Sequence, residues 1–162
     1  MTQTPTKVLA ILSTTGYYGK ERANLKVYQL LKDNGFQLRI VLNKKATPKL
    51  RENFDGFNTI RINFPDLKQG RIDRQISRVL LNFDLYRVIQ KYKPDYLYLS
   101  DENVAFSAAP ILKRFKGNII YRIGDELNLN RYGKRKFLYA FVWKRMVFTR
   151  INAFVSISKF IK

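Results

Sequence analysis

Apolar positions along this chain fall in short unbroken runs that alternate with longer stretches of helical spacing. Lys7 to Leu12 (KVLAIL) is the first run, the pattern of a strand buried on both faces. Ser13 to Lys20 (STTGYYGK) is a turn-rich loop with two glycines, and Glu21 to Asn34 places Ala23, Val27, Leu30 and Leu31 on one helical stripe. Gly35 stands where a helix C-terminal cap belongs, and Gln37 to Leu42 (QLRIVL) is a second strand. Strand, glycine loop, helix, strand is the opening of a parallel sheet.

The alternation continues. Asn58 to Phe64 predicts a strand and leads into a Pro65/Gly70 loop. Arg71 to Tyr92 predicts a long amphipathic helix with Ile72, Ile76, Val79, Leu80, Phe83, Tyr86 and Ile89 on its apolar stripe. Asp95 to Leu99 predicts a strand, and Glu102 to Phe115 an Ala-rich apolar segment that Pro110 kinks or splits. Asn118 to Ile123 predicts a strand, Lys134 to Arg150 a basic aromatic helix, and Ala153 to Ile157 a last short strand. About six strands separated by helices predict an α/β fold: a doubly wound, mostly parallel sheet with helices on both faces, Rossmann-like, as one domain over residues 1–162. The chain stops just after the sixth strand, which leaves two readings, a complete flavodoxin-like domain or one lobe of a larger enzyme.

Composition narrows the chemistry. The 162 residues include no Cys and no His, which excludes zinc fingers, thiol nucleophiles, Ser-His-Asp catalysis and disulfide scaffolds. Catalysis would fall to carboxylates, Lys, Arg, Tyr, hydroxyls or backbone. The 31 Lys and Arg against 12 Asp and Glu give a net charge of +19, which calls for an anionic partner: nucleic acid, an anionic membrane surface or a phosphorylated ligand. No signal peptide is recognisable, and no run approaches the roughly 18 apolar residues of a membrane span. The expectation is a cytoplasmic protein, resting peripherally on the inner face of the cell membrane.

Ligands of open α/β sheets gather beyond the carboxyl ends of the strands. The loops there are Ser13 to Lys20, Asn43 to Lys45, Phe64 to Gln69, Ser100 to Glu102 and Gly124 to Leu129. Gly16 and Gly19 precede a helix whose N-terminal N–H groups favour an anion. Their spacing fits neither a dinucleotide-binding nor an ATP-binding glycine motif. The other reading of these glycines is a tight turn that needs positive φ. Asp125, after a strand, can accept hydrogen bonds from a hydroxylated substrate or act as a base, or it caps a helix or pairs with Arg122. For Asp101 and Glu102 the alternative is that Ser100 or Asp101 is the N-cap of the next helix.

Five segments stand in order along the chain: Lys7-Val-Leu-Ala-Ile-Leu with Gly16-Tyr-Tyr-Gly19-Lys-Glu21-Arg22-Ala23; Leu30 through Gly35 into the second strand; Lys93-Pro94-Asp95-Tyr-Leu-Tyr-Leu; Ile120-Tyr-Arg-Ile-Gly-Asp125; and Phe154-Val155-Ser156-Ile-Ser158. Taken together, they resemble the N-terminal, acceptor-side half of family-4 retaining glycosyltransferases of the GT-B fold. The resemblance spans nearly the whole chain and implies sugar transfer from a nucleotide-sugar to an acceptor, usually without a metal. It implies Asp125 as the catalytic residue. Gly16, Tyr17, Tyr18, Gly19, Arg22, Ser100, Asp101, Glu102, Arg122 and Glu126 are implied as acceptor- or phosphate-binding residues. The donor half of that family carries two glutamates eight positions apart; Glu21, Glu52, Glu102 and Glu126 include no such pair, so a C-terminal donor domain is expected to be absent and the chain inactive alone. No cofactor is implied for this chain, the nucleotide-sugar belonging with the missing domain. Many relatives carry His-Asp where this chain has Gly124-Asp125.

Arg131 to Arg150 interleaves seven Lys and Arg with six aromatics, which suits a helix on an anionic bilayer through Lys134, Arg135, Lys136, Trp143, Lys144 and Arg145. The alternative is a core-packed helix with solvated charges. The Arg71, Arg74, Arg78 and Arg87 face of the long helix reads as simple solvation. Expected partners are a glycan or lipid-linked acceptor in surface polysaccharide or glycolipid synthesis, an anionic membrane surface and a separate chain supplying the donor domain. Nucleic acid is disfavoured, because no helix-turn-helix, RNP-like or zinc signature is present; a basic nucleic-acid-binding or flavodoxin-like nucleotide-binding module is the alternative function.

Overall fold

The computed structural model describes residues 4–66, 70–123 and 136–156, without the side chains of Lys136, Leu138, Tyr139 and Ser156. In chain order the elements are β1 (Lys7–Leu12), α1 (Gly19–Asp33), β2 (Gln37–Asn43), α2 (Pro48–Asn53), β3 (Asn58–Ile62), α3 (Arg71–Tyr92), β4 (Tyr96–Leu99), α4 (Glu102–Ser107), α5 (Ala109–Arg114), β5 (Asn118–Ile123), α6 (Lys136–Val142) and β6 (Ala153–Ser156). Between α6 and β6 the helix continues as a π turn, Trp143–Val147, and a 3-10 turn, Phe148–Arg150.

Every strand pair is parallel, and the order across the sheet is β3-β2-β1-β4-β5-β6. The direction of winding reverses between β1 and β4, which opens a crevice beyond their carboxyl ends. Side chains alternate along each strand, so β1 and β2 bury residues on both faces. Val8, Ala10, Leu12, Ile40 and Leu42 pack with Tyr28 of α1 and with Leu50 and Phe54 around α2. Leu9, Ile11 and Val41 face the other way, onto Leu81 and Leu85 of α3, Val104 of α4 and Leu112 of α5. The unbroken apolar runs of the sequence are the trace of this double burial.

Local chemistry sets the ends. Gly35 takes φ +80°, the left-handed conformation that closes α1 without a Cβ penalty. Asp95 accepts a hydrogen bond from the Lys7 N–H at 2.8 Å, tying the entry of β4 to that of β1. Gly117 passes so close that an added Cβ would lie 2.5 Å from the Asp95 carbonyl. Pro110 sits in the first turn of α5, where its missing N–H costs nothing, and divides the Ala-rich segment into α4 and α5.

Three sequence expectations change. The short helix α2 was not foreseen; Thr47 caps it, accepting from Leu50 N at 3.4 Å, with Pro48 at its start, and six residues are too few for an apolar period. On α1 the inward positions are Glu21, Asn24 and Tyr28, with Leu31 partly buried, while Leu30 is exposed. On α3 the core takes Leu81, Leu85 and Tyr92, and the stripe from Ile72 to Tyr86 faces outward.

Candidate functional site

The crevice at the carboxyl ends of β1, β2 and β4 is a cleft of about 1020 Å³, within the size range of small-molecule sites. Its floor is the loop that leaves β1. Asn43, buried at the end of β2, donates to the Ser13 carbonyl at 2.8 Å and accepts from Lys45 N at 3.0 Å, joining two strand-end loops. Thr47 N donates to the Thr15 carbonyl at 2.8 Å. From the other side, Ser100 donates to the Ile11 carbonyl at 2.7 Å. Asp101 caps α4 by accepting from Val104 N at 2.9 Å and also accepts from the Ser13 hydroxyl at 2.9 and 3.0 Å. These bonds tie three loops to one another.

The N-terminus of α1 forms the next wall. Glu21 is buried and accepts from Tyr18 N at 2.8 Å, which fixes the first turn. Neither Gly16 nor Gly19 adopts positive φ, so the tight-turn reading does not hold. Gly16 is glycine because the Tyr18 ring lies on it, 2.2 Å from where a Cβ would be, whereas a Cβ on Gly19 would meet nothing within 4 Å. Asn24 lines the cleft one turn further on, fully buried, its Oδ1 3.5 Å from the Tyr98 hydroxyl and its Nδ2 without a hydrogen-bond partner among the described residues. Burial pushes Tyr98 up to about 12 against the lowering effect of Arg122, and raises Tyr28 well above the usual phenol range, so both are neutral hydroxyls at ordinary pH.

The opposite wall is cationic. Arg74 and Arg78, four apart on α3, face the cleft, as do Lys20 and Lys45. Lys45 is paired with Asp66 at 3.1 Å. The Nε atom of Arg78 is buried without a hydrogen-bond partner among the described residues. The solvation reading of the α3 arginines therefore fails for Arg74 and Arg78, while exposed Arg87 stacks on Phe83, 4.2 Å from the ring centre.

Of the residues singled out from sequence, Tyr18, Gly19, Ser100 and Asp101 line the cleft. Gly16 supports it from beneath Tyr18. Arg122 is buried and donates to the Lys20 carbonyl at 3.2 Å, holding the first turn of α1 from below instead of lining the cleft. Arg22 lies over the Tyr17 ring at 5.9 Å, and Tyr17, Arg22 and Glu102 are not among the lining residues. Asp125, Glu126, Lys134 and Arg135 lie outside the described residues, as does the side chain of Lys136. Trp143 turns inward, 5.3 Å from Tyr121 and 5.4 Å from Phe106 ring centres, so its expected place on a membrane gives way to a packing role; Lys144 and Arg145 are exposed. Asn24, Lys45, Arg74 and Arg78 were missed. The loop containing Lys45 was foreseen, but no sequence signal tells which side of a helix meets a cleft.

Solved structures supply the comparison. The chain matches a putative UDP-N-acetylglucosamine 2-epimerase from Listeria monocytogenes with a TM-score of 0.67 at 14% identity, over 97% of this chain and 40% of that one. It matches MurG from Acinetobacter baumannii at 0.66 and 12%, over 94% and 41%. A glycosyltransferase from Rickettsia africae matches at 0.60 and 14%, over 95% and 43%. The fold is a Rossmann-like α/β fold of the GT-B type. This GT-B-type chain spans about two fifths of the length of those proteins. No family model and no curated protein matches it in sequence. Among the described residues of the GT-B-type chain no cluster of three metal-ligating side chains occurs, and no helix is long and apolar enough to cross a membrane.

Proposed function

We propose that this chain is the acceptor-binding half of a retaining glycosyltransferase of the family-4 kind, acting in the synthesis of a surface polysaccharide or glycolipid. The observation that carries the reading is the cleft itself: a preformed hollow at the winding reversal, bounded by the N-terminus of α1, an unpartnered buried amide and a cationic wall. Polar side chains that are buried yet lack partners lose the hydrogen bonds they had in water. A hydroxyl-rich acceptor restores them. The Asn24 amide donates to a sugar oxygen, Arg78 takes an acidic group of a charged glycan or lipid-linked sugar, and Arg74 adds positive charge to the same wall.

Asp125, two residues past the end of β5, is assigned to the acceptor hydroxyl that attacks. Stabilising the departing diphosphate falls to a donor half on this or another chain, because electrostatic stabilisation of that group dominates such a transfer. The nucleotide-sugar enters with that half. An anionic membrane surface meets exposed Phe137, Phe141 and Phe148, at helical spacing beside Lys144 and Arg145.

The test is calorimetric titration of the chain with panels of acidic and neutral oligosaccharides, UDP-sugars and duplex DNA. Saturable binding of an acidic glycan, weakened by Arg78→Ala, supports the reading. Tight DNA binding with a steep salt slope and no glycan binding overturns it in favour of a nucleic-acid module.

A further inference from the structure

The outward face of α3 carries an apolar seam that no other described residue covers. Ile72, Ile76, Val79, Phe83, Tyr86 and Gln90 follow one another at intervals of four, three, four, three and four residues, the spacing of a two-helix seam. The five apolar members, with Leu80 beside them, are 51% to 76% exposed. The core side of the same helix is already filled by Leu81, Leu85 and Tyr92. A seam of heptad period is a surface for another helix.

We infer that α3 is a homodimer interface, pairing antiparallel with α3 of a second copy about a two-fold axis beside Leu80. The occupant follows from charge. In the antiparallel register that sets Ile72 against the partner's Gln90, Ile76 against the partner's Tyr86 and Val79 against the partner's Phe83, all seam layers are matched. The flanking positions Asp73, Leu80 and Arg87 recur every seven residues. The two-fold places Asp73 beside the partner's Arg87, repeats that pair on the other side and brings Leu80 against the partner's Leu80. A parallel pairing would put Arg87 beside the partner's Asn82, with no opposite charges matched. An anionic bilayer fits less well, since Asp73 and Asp84 lie along one flank of the stripe. The net charge of +19 on each copy opposes association over long range, and added salt screens that repulsion while leaving the apolar seam intact.

The sequence contains no cysteine, so a single introduced thiol reports the register cleanly. The experiment combines sedimentation velocity of the chain at low and moderate salt with oxidative cross-linking of Leu80→Cys and Ile72→Cys. The expected result is a dimer that tightens as salt rises, with rapid disulfide formation at Leu80→Cys. None is expected at Ile72→Cys, whose two copies would sit about 27 Å apart along the helix axis. Phe83→Asp is expected to abolish the dimer while leaving the circular dichroism spectrum unchanged, and to remove any dependence of the melting temperature on protein concentration. Asp73→Arg and Arg87→Asp should each weaken it and in combination restore it. A monomer under all conditions overturns the inference, including one that binds anionic vesicles through this face. A dimer in which Leu80→Cys does not cross-link overturns it as well.

Discussion

Arg78 reaches the cleft with its Nε buried and without a hydrogen-bond partner among the described residues, so an acidic ligand would supply one. A hydrogen bond to a charged group contributes about 1.5–3 kcal/mol, so Arg78→Ala should weaken binding of an acidic glycan about tenfold or more while leaving the circular dichroism spectrum unchanged. Asp101 behaves differently, because its carboxylate is committed to the α4 cap and to Ser13. Asp101→Ala should lower stability by about 1–2 kcal/mol, read by urea denaturation. Tyr98 and Tyr28 set an alkaline limit. Their folded pKa values lie above the unfolded value of about 10, so the stability they represent is complete below pH 10 and is lost as pH rises through the folded values, which for Tyr98 is about 12. Melting temperature should therefore hold steady with respect to these groups up to about pH 9 and fall above pH 10, less steeply in Tyr98→Phe. At this scale Asp101 was legible as a helix cap because Ser-Asp-Glu precedes an apolar run. Arg74 and Arg78 were not, because a cation on a helix looks the same in sequence whether it faces water or a ligand.

Helices were legible in position and less so in orientation. The long α3 has two apolar lines, and the inward one is short because Arg74 and Arg78 occupy its first turns on the cleft side. The more continuous line, from Ile72 to Tyr86, dominated the periodicity and was read as core. On α1 the inward line begins with Glu21 and Asn24, polar residues that serve the cleft, so hydrophobic spacing pointed to Leu30 instead. Both misreadings have one cause: where an element adjoins a site, its buried face is polar. The last helix divides its aromatics between two sides. Trp143 packs on Tyr121 and Phe106, whereas Phe137, Phe141 and Phe148 are exposed. If that exposed side meets lipid, anionic vesicles should leave Trp143 emission unchanged. They should shift the emission of a Phe141→Trp variant to the blue, and a blue shift of Trp143 itself would contradict the inward packing.

For the whole molecule, a parallel sheet with helices on both faces follows from the alternation of strand and helix, whereas its strand order and its cleft walls do not. Six parallel strands in the order β3-β2-β1-β4-β5-β6 place the winding reversal, and the loops after β1, β2 and β4 build the hollow there. The proposed occupant of this hollow is an acidic sugar acceptor. It is tested by amide chemical-shift mapping of the isotopically labelled chain during titration with the best-binding oligosaccharide. Saturable shifts are expected at the cleft-lining Gly19, Lys20, Asn24 and Asn103 and at the Arg78 side chain, absent when a UDP-sugar is added alone. Shifts confined to the outer face of α3 or to the α6 region, or saturation of the cleft by the UDP-sugar itself, would contradict it.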